Sequence, residues 1–286
     1  MTFVSYSQNY EDVMLWRSLR SIEHGFYIDV GAAWPDVDSV TKAFYQHGWR
    51  GINIEPNEEL FLSLKEKRLE DINLNYAISD VNGVLHMNFL SNKGLSTADE
   101  EIASGHIERG NLNIRREVEA KTLDQVWVDH VPEGQEVHFV KIDVEGLEKS
   151  VISGLDWHSR RPWIVVVEAT LPMSQVESHE EWEPILLSAG YLMAYADGLN
   201  RFYVAREREE LMDRFRYPPN IWDDYVLSRQ VELENINHEL RDNLHKTQLE
   251  FHQLHSEYNA ILQSRSWRMT KPFRLVMLGL KRLFNF

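Results

Sequence analysis

Two acidic residues, Asp29 and Glu55, each close a short apolar segment in the stretch FYIDVGAAWPDVDSVTKAFYQHGWRGINIEP, residues 26–56. A carboxylate at the end of a buried strand is costly unless it is paired or functional. Either acid alone is equally compatible with a cap on the helix that follows it. If both segments are parallel strands, both acids lie at the carboxyl edge of one sheet, where open α/β proteins bind their ligands.

The loop after the first of these segments indicates the kind of ligand. Gly31 is followed by AAWP (32–35), so the G-x-G-x-x-G spacing that cradles a pyrophosphate is absent. Asp29 can instead pair with the ammonium of a methionine moiety, and Glu55 can accept hydrogen bonds from both hydroxyls of a ribose. With Asp80 after a third strand, placed to accept from an adenine amino group, the acids describe a pocket for S-adenosylmethionine.

Strand-like and helix-like segments alternate over the first 206 residues, which predicts a doubly wound, largely parallel α/β sheet. The last two segments, YLMAYAD (191–197) and RFYVAR (201–206), are joined by a turn too short for a parallel return, so they predict a terminal antiparallel hairpin. This layout is that of S-adenosylmethionine-dependent methyltransferases. The polar segment 91–116 is interpreted as a surface loop, with a catalytic lid as the alternative. Further segments with a strand-like or helix-like pattern are FYIDV (26–30), GINIE (51–55), INLNYAIS (72–79), GVLHMNFL (83–90), KTLDQVW (121–127), VHFVKIDVE (137–145) and PWIVVVEA (162–169).

Six segments carry the motifs of one enzyme family: SQNYEDVML (7–15), FYIDVGA (26–32), GWRGINIEP (48–56), KTLD (121–124), FVKIDVEGLE (139–148) and VVVEA (165–169). With these segments the chain resembles the FkbM family of S-adenosylmethionine-dependent methyltransferases over about residues 5–205. The resemblance implies a class I methyltransferase (Rossmann-like) fold, O-methylation, and sugars or other hydroxyl compounds as acceptors. One loop departs from the family pattern, because Ala33 and Trp34 stand where the family has Asn after Gly-Ala.

The resemblance also implies roles for individual residues. Asp29 and Gly31 belong by position to the loop around the methionine moiety, Glu55 to the ribose, Asp80 to the adenine, and Asp143 and Glu145 to the wall between cofactor and acceptor.

Methyl transfer to a hydroxyl requires a weak nucleophile to lose its proton, so a general base or a divalent metal is expected beside the acceptor. Asp143, Glu145 and Glu168 stand at strand ends, and His179 follows in the loop SHEEW. We expect Asp143 and Glu168 to line the acceptor side, with His179 or Glu145 as the base. A solvated histidine ahead of a helix is the alternative for His179. Carboxylates on adjacent strand ends could also bind Mg²⁺, and spacing does not decide between a base and a metal.

Residues 226–263 repeat apolar side chains at a heptad spacing, which predicts a coiled coil and hence a homo-oligomer. Polar residues in the first two heptads, Gln230 and Asn237, would fix the register or the oligomer number. A single amphipathic helix packed on the catalytic domain is the alternative. One core position holds Val226, Leu233, Leu240, Thr247, Leu254 and Ile261, and the other holds Gln230, Asn237, Leu244, Phe251 and Tyr258.

Residues 264–286 contain six basic residues and no acid, interleaved with apolar and aromatic residues. This composition is typical of an amphipathic helix on an anionic membrane, here the inner membrane, with a glycan-assembly protein as the competing partner. Taking these six charges from the total of −15 leaves −21 on the first 263 residues, which argues against nucleic acid as a partner. The segment SRSWRMTKP (264–272) resembles the ends of some bacterial cell-surface glycan enzymes.

The sequence therefore predicts a methyltransferase domain at 1–206 that begins with a helix at 5–20, a linker at 207–225, a coiled coil at 226–263 and a basic amphipathic tail at 264–286. With no cysteine, signal peptide or 18-residue apolar span, a cytoplasmic location with peripheral contact to the inner membrane is expected. The predicted function is O-methylation of a sugar hydroxyl during synthesis of a bacterial surface glycan such as an O-antigen or capsule. A non-catalytic scaffold of glycan assembly, built on a degenerate methyltransferase domain, is the alternative.

Overall fold

A computed structural model describes residues 2–90, Thr97, residues 113–172 and residues 174–284. The chain divides into two compact units, Met1–Leu227 and Ser228–Phe286. Most of the segment 91–116, predicted as a loop or a lid, lies outside the described residues.

The first unit contains strands and short helices in alternation. In chain order the strands are β1 (Phe3–Ser5), β2 (Phe26–Val30), β3 (Arg50–Ile54), β4 (Ile72–Leu74), β5 (Ala77–Ser79), β6 (Gly83–Leu90), β7 (Asn113–Thr122), β8 (Phe139–Ile142), β9 (Ile164–Glu168), β10 (Tyr191–Ala196), β11 (Asn200–Ala205) and β12 (Tyr225–Leu227). The helices of this unit are α1 (Glu11–Leu19), α2 (Lys42–Gln46), α3 (Glu58–Lys67), α4 (Leu123–His130), α5 (Glu148–Ser153) and α6 (Glu183–Ser188).

Seven strands form the central sheet in the order β10-β11-β9-β8-β2-β3-β4. The strands from β9 to β4 are parallel, whereas β11 pairs antiparallel with both β9 and β10. The structure thus confirms the mostly parallel α/β sheet and its terminal antiparallel hairpin. The chain moves outward from β2 to β4 and then returns to the other side of β2 with β8, so the order reverses between β2 and β8. This reversal opens a crevice at the carboxyl ends of these two strands.

Side chains of the central strands alternate between two buried apolar layers, because successive residues of a strand point to opposite faces. On β2, Phe26, Ile28 and Val30 belong to one layer. Tyr27 belongs to the other layer, together with Trp49 and residues of α1. Helices cover both faces, as expected for a parallel sheet.

Two smaller sheets flank the central one. The segment INLNYAIS, predicted as one strand, is divided between β4 of the central sheet and β5 of a three-stranded sheet in the order β5-β7-β6. Asp80 therefore follows a strand of the small sheet and does not lie at the carboxyl edge of the central one. The other small sheet pairs β1 in parallel with β12.

The N-terminal helix is shorter than its predicted range of 5–20, because the carboxylate of Asp12 holds the chain before it in a non-helical conformation. Asp12 is fully buried and accepts hydrogen bonds from Ser5 Oγ at 2.8 Å, from the Tyr6 N–H at 2.7 Å and from Ser7 Oγ at 2.7 Å. The neighbouring Glu11 accepts from Asn200 Nδ2 at 2.8 Å. Both acids stabilise the fold in this way.

The predicted linker at 207–225 is held against α1 by Arg17. The guanidinium group of Arg17 donates two hydrogen bonds of 2.6 Å to the carboxylate of Asp223, and further ones to backbone carbonyls of Arg214, Tyr217 and Pro218. This fork geometry is the strongest form of an Arg–carboxylate pair. It brings β12 back to β1, which explains how two distant segments form one sheet.

The second unit contains three consecutive helices: α7 (Ser228–Gln263), α8 (Arg265–Met269) and α9 (Lys271–Phe284). No described side chain of α7 is buried. Among the described residues, no helix has both the length and the apolar character needed to cross a bilayer. The heptad prediction for α7 stays a prediction.

Replacing Arg17 with Ala should destabilise the first unit by about 2–4 kcal/mol, because the largely buried carboxylate of Asp223 would lose its partner. Lys149→Ala is the matched control, since Lys149 forms an exposed ion pair with Glu181 that should contribute about 0–1 kcal/mol. Urea denaturation of both variants measures the difference. Equal losses in the two variants would show that Arg17 does not anchor the segment.

Candidate active site

A cavity lies at the carboxyl ends of β2, β3 and β8, where the strand order reverses. Its space, open solvent included, is ≈ 600 Å³. Four of the predicted site residues line it: Gly31, Glu55, Asp143 and Glu145. The sequence-based placement of a ligand at this edge therefore agrees with a concave site.

Glu55 joins the loop after β2 to the start of α3. Its two carboxylate oxygens accept hydrogen bonds from the N–H of Ala33 at 2.9 Å and from the N–H of Asn57 at 2.8 Å. Burial raises the pKa of Glu55 to about 7, although both N–H groups favour the charged form. Each oxygen retains a lone pair, so Glu55 can still accept from a ligand in the cavity.

Gly31 lets the loop after β2 pass directly over the end of β8. Its φ is +76°, and a Cβ at this position would lie 1.8 Å from the carbonyl oxygen of Asp143. The N–H groups of Gly31 and Ala32 both donate to the carbonyl of Ile54, at 3.0 and 3.1 Å. Any side chain at Gly31 would push the two walls of the cavity apart.

Lys141 is buried beneath this loop and connects β8 to β2. Its ammonium donates to the Gly31 carbonyl at 2.8 Å and lies 3.4 Å from Asp29 and 3.2 Å from Asp143. Burial opposes its charge, but the charges of Asp143 and Asp29 outweigh burial and raise the pKa of Lys141 above its ordinary value. The ammonium therefore fixes both the loop and the Asp143 carboxylate.

Three carboxylates converge at the cavity, two of which line it. Oxygens of Asp143, Glu145 and Glu168 lie within 4.8 Å of one another. Burial, followed by the charge of Asp143, raises the pKa of Glu145 to about 8. The same two causes raise the pKa of Glu168 still further, and its buried Oε2 has no hydrogen-bond partner. Such a cluster holds protons near neutral pH, or could hold a divalent cation in their place.

The backbone that carries this cluster is held by residues that the sequence did not single out. Glu148 accepts from the N–H groups of Val144 and Gly146, each at 3.2 Å. Thr97 donates from its Oγ to the carbonyl of Glu145 at 2.7 Å. These bonds support Glu145 in a left-handed conformation with φ of 53°. Glu148 is the first residue of α5, and an acid at the start of a helix was the sequence signal that could have identified it.

Three predicted site residues lie away from the cavity. Asp29 is buried under the loop, where it accepts from Thr41 Oγ at 3.0 Å and faces Lys141. Asp80 is exposed and accepts from Ser79 Oγ at 3.0 Å. His179 is buried, with its ring nitrogens 3.3 Å from a carboxylate oxygen of Glu177 and 3.9 Å from one of Glu183.

The small sheet contributes an apolar wall that sequence reasoning missed. Tyr76, Ile78 and Met87 also line the cavity. The ammonium of Lys121 lies 4.1 Å from the centre of the Tyr76 ring. The alternation of GVLHMNFL, which places Met87 on the buried face of β6, was the available signal. A flat apolar surface of this kind suits an aromatic base.

Comparison with known proteins agrees with this geometry. The family model described as Methyltransferase FkbM domain matches residues 29–193, more than half of the chain. The matched range includes every residue that lines the cavity. A search of curated proteins gave no match.

Gly31→Ala should cost more stability than Gly48→Ala, although both residues have a positive φ. The left-handed backbone alone disfavours Ala by about 1–2 kcal/mol, and Gly48 has no atom near the site of a Cβ. Ala at position 31 must in addition displace the Asp143 carbonyl. Thermal unfolding of the two variants measures this difference, and equal midpoints would show that the loop does not touch β8.

Proposed function

The chain belongs to the FkbM methyltransferase family, and from this premise we propose that it transfers a methyl group from S-adenosylmethionine to a sugar hydroxyl of a bacterial surface glycan. The observation that carries the proposal is the cavity at the reversal of strand order, which is lined by Glu55 and by Asp143 and Glu145, two members of the three-carboxylate cluster.

The cavity residues fit the parts of the cofactor. The free lone pairs of Glu55 accept from the ribose hydroxyls, and the wall of Tyr76, Ile78 and Met87 contacts the adenine. The ammonium of the methionine moiety pairs with Asp143, because Asp143 lines the cavity whereas Asp29 is buried beneath the loop and does not line it. S-adenosylmethionine supplies an activated methyl group, so the protein contributes positioning and removal of a proton.

Glu145 is the proposed general base. Glu145 lines the cavity, and burial raises its pKa to about 8. A general base is most effective when its pKa is close to the pH at which the enzyme works. Glu168 lies beside it and keeps a proton more firmly, so it can donate a hydrogen bond to the neighbouring carboxylate of Asp143. A divalent cation held by the same three carboxylates is the second candidate, favoured by their approach within 4.8 Å.

A cleft next to Glu145 supports a sugar as the acceptor. It encloses ≈ 900 Å³, open solvent included, and is lined by Gly146, Leu171 and a set of polar residues. Ser178 Oγ and Trp182 Nε1 are buried there without hydrogen-bond partners. Hydroxyl-rich ligands satisfy such groups. The remaining lining residues are Glu148, Lys149, Glu177, Glu180 and Glu181.

Calorimetry with S-adenosylmethionine, followed by transfer of a labelled methyl group to neutral oligosaccharides, tests the proposed function. Binding of the cofactor together with label in an oligosaccharide is the expected result. Absence of binding at about millimolar cofactor, equivalent to roughly 4 kcal/mol or less of binding free energy, would favour the non-catalytic scaffold instead.

Glu55→Gln should weaken cofactor binding by about 1.5–3 kcal/mol, because the ribose loses a charged acceptor. Glu11→Gln is the matched control: Glu11 is also buried, has a pKa raised to about 7 and accepts from a backbone N–H, but it contacts Asn200 outside the cavity. Calorimetry should find unchanged affinity for Glu11→Gln. A similar loss in both variants would assign Glu55 a structural role alone.

Glu145→Gln should abolish methyl transfer while leaving cofactor binding largely intact, whereas His179→Gln should retain transfer. The rate of the unmodified protein should rise with pH towards and through about pH 8, since the base acts only after it loses its proton and burial has raised its pKa to about 8. A rate that falls over this range would contradict the assignment.

The cation candidate makes a different prediction for the same assay. If the carboxylates hold a cation, EDTA should abolish transfer and Mg²⁺ should restore it. Cation affinity should also increase with pH, because the cation competes with the protons that the raised pKa values retain. Full activity in EDTA would leave Glu145 acting as a base without a metal.

A further inference from the structure

We propose that the second unit, Ser228–Phe286, is a membrane-binding arm: α9 lies in the surface of an anionic bilayer, and α7 pairs in parallel with α7 of a second copy so that two α9 helices act together. This inference is independent of the methyl-transfer chemistry. It is carried by the two faces of α9, by the charge of the segment and by the exposed heptad positions of α7.

The two faces of α9 differ in chemistry. At about 100° per residue, Phe273, Val276 and Met277 fall on one side of the helix, and Lys271 and Arg274 fall on the other. The three apolar side chains are 76%, 63% and 60% exposed. In the sequence that follows, basic residues recur at the positions of the basic side, and apolar residues recur at the positions of the apolar side. The basic residues are Lys281 and Arg282, and the apolar ones are Leu280, Leu283 and Phe284.

The junction of α8 and α9 adds an aromatic group to the basic side. The guanidinium of Arg274 lies 3.7 Å from the centre of the Trp267 ring and donates to the Trp267 carbonyl at 2.7 Å and to Thr270 Oγ at 2.6 Å. These contacts fix α8 against α9. Trp next to a basic residue is characteristic of the interface between headgroups and acyl chains.

The charge of the segment selects the kind of surface. Residues 264–286 hold six basic residues and no acid, whereas the rest of the chain is strongly acidic. An anionic surface therefore attracts this segment and repels the first unit. A nucleic acid would satisfy the charge but would leave the apolar face in water. Anionic lipid satisfies both faces of the helix at once, because the apolar side enters the acyl region and the basic side contacts phosphate headgroups.

The heptad positions of α7 indicate a second copy of the chain as the partner of this helix. Leu240, Leu244, Phe251 and Leu254 are 60–65% exposed, and all lie on one seam. A single helix that exposes such a seam is marginal in water, whereas two copies bury it between them.

The polar seam residues indicate a parallel pair. In parallel register Asn237 meets Asn237 of the second copy, and Glu250 faces His255 of the second copy across the seam. The two α9 helices then emerge at the same end of the pair. One amphipathic helix binds weakly and reversibly, and two that are joined bind far more tightly through their effective concentration.

Sedimentation of the full chain with vesicles tests the membrane contact, using phosphatidylcholine alone and a mixture with phosphatidylglycerol. Binding is expected only to the mixture, and it should weaken in about 0.5 M salt because the charges are screened. Phe273→Asn with Val276→Asn should weaken binding by roughly tenfold or more. Leu275→Asn with Leu278→Asn, the same changes on the basic side, should have a much smaller effect.

Analytical ultracentrifugation of two matched variants tests whether α7 pairs with α7 of a second copy. Leu254 lies on the seam and Leu249 lies off it, and they are 65% and 57% exposed. Leu254→Asn should weaken self-association by roughly tenfold or more and reduce vesicle binding with it, whereas Leu249→Asn should change neither.

Two results would overturn the inference. If the full chain binds neither kind of vesicle, the basic segment serves a protein partner and not a membrane. A full chain that stays monomeric at micromolar concentration, or that responds equally to the changes at Leu249 and Leu254, would show that α7 does not form the seam.

Discussion

A buried ammonium group, that of Lys141, determines how the rest of the site can be arranged. It lies between the carboxylates of Asp29 and Asp143 and beneath the Gly31 carbonyl, so it joins β2, β8 and the loops that follow both strands. A buried charge is tolerated only when its partners are held in place. The packing of Gly31 against the Asp143 carbonyl and the hydrogen bonds of Glu55 to the first loop are consequences of that requirement.

A row of polar residues continues from Lys141 across the neighbouring strands of the sheet. Lys141, Asp29, Asn53 and Asn73 are in register on four neighbouring strands, whose other fully buried side chains are apolar. Asn53 donates to Asp71 and to Asn73, and Lys141 pairs with Asp29, so polar contacts hold the residues at both ends of the row. Polar groups buried in this way favour one register over its neighbours, because a shift by one residue would place a charge among apolar side chains. The row therefore positions the strand ends that carry the site.

The sequence predicted the elements more completely than it predicted their contacts. The periodicity of apolar residues and the length of the last turn were sufficient to predict the parallel sheet and its terminal hairpin, since both features depend on local chain geometry. The division of INLNYAIS between two sheets was missed, and this error moved Asp80 into the expected site. Asp29 was correctly identified as an unusual buried acid, but the sequence does not show that Lys141 reaches it from a strand more than 100 residues away. Glu55 and the three-carboxylate cluster were predicted because strand ends meet at one edge of a parallel sheet. The apolar wall of Tyr76 and Met87 depends on how the small sheet folds over the cavity, which no local pattern specifies.

The departure from the family pattern at Ala33 lies at a residue with an unusual backbone conformation. Ala33 has a φ of 48°, a left-handed conformation that Asn adopts far more readily than Ala. Asn at this position in the family pattern is therefore consistent with the same backbone. Here the conformation is maintained from outside, because the Ala33 N–H is bound by Glu55 while the N–H groups of Gly31 and Ala32 are bound by the Ile54 carbonyl. Hydrogen bonds from outside the residue thus hold the left-handed backbone at Ala33 without an Asn side chain, so Ala33 by itself does not argue for a degenerate domain.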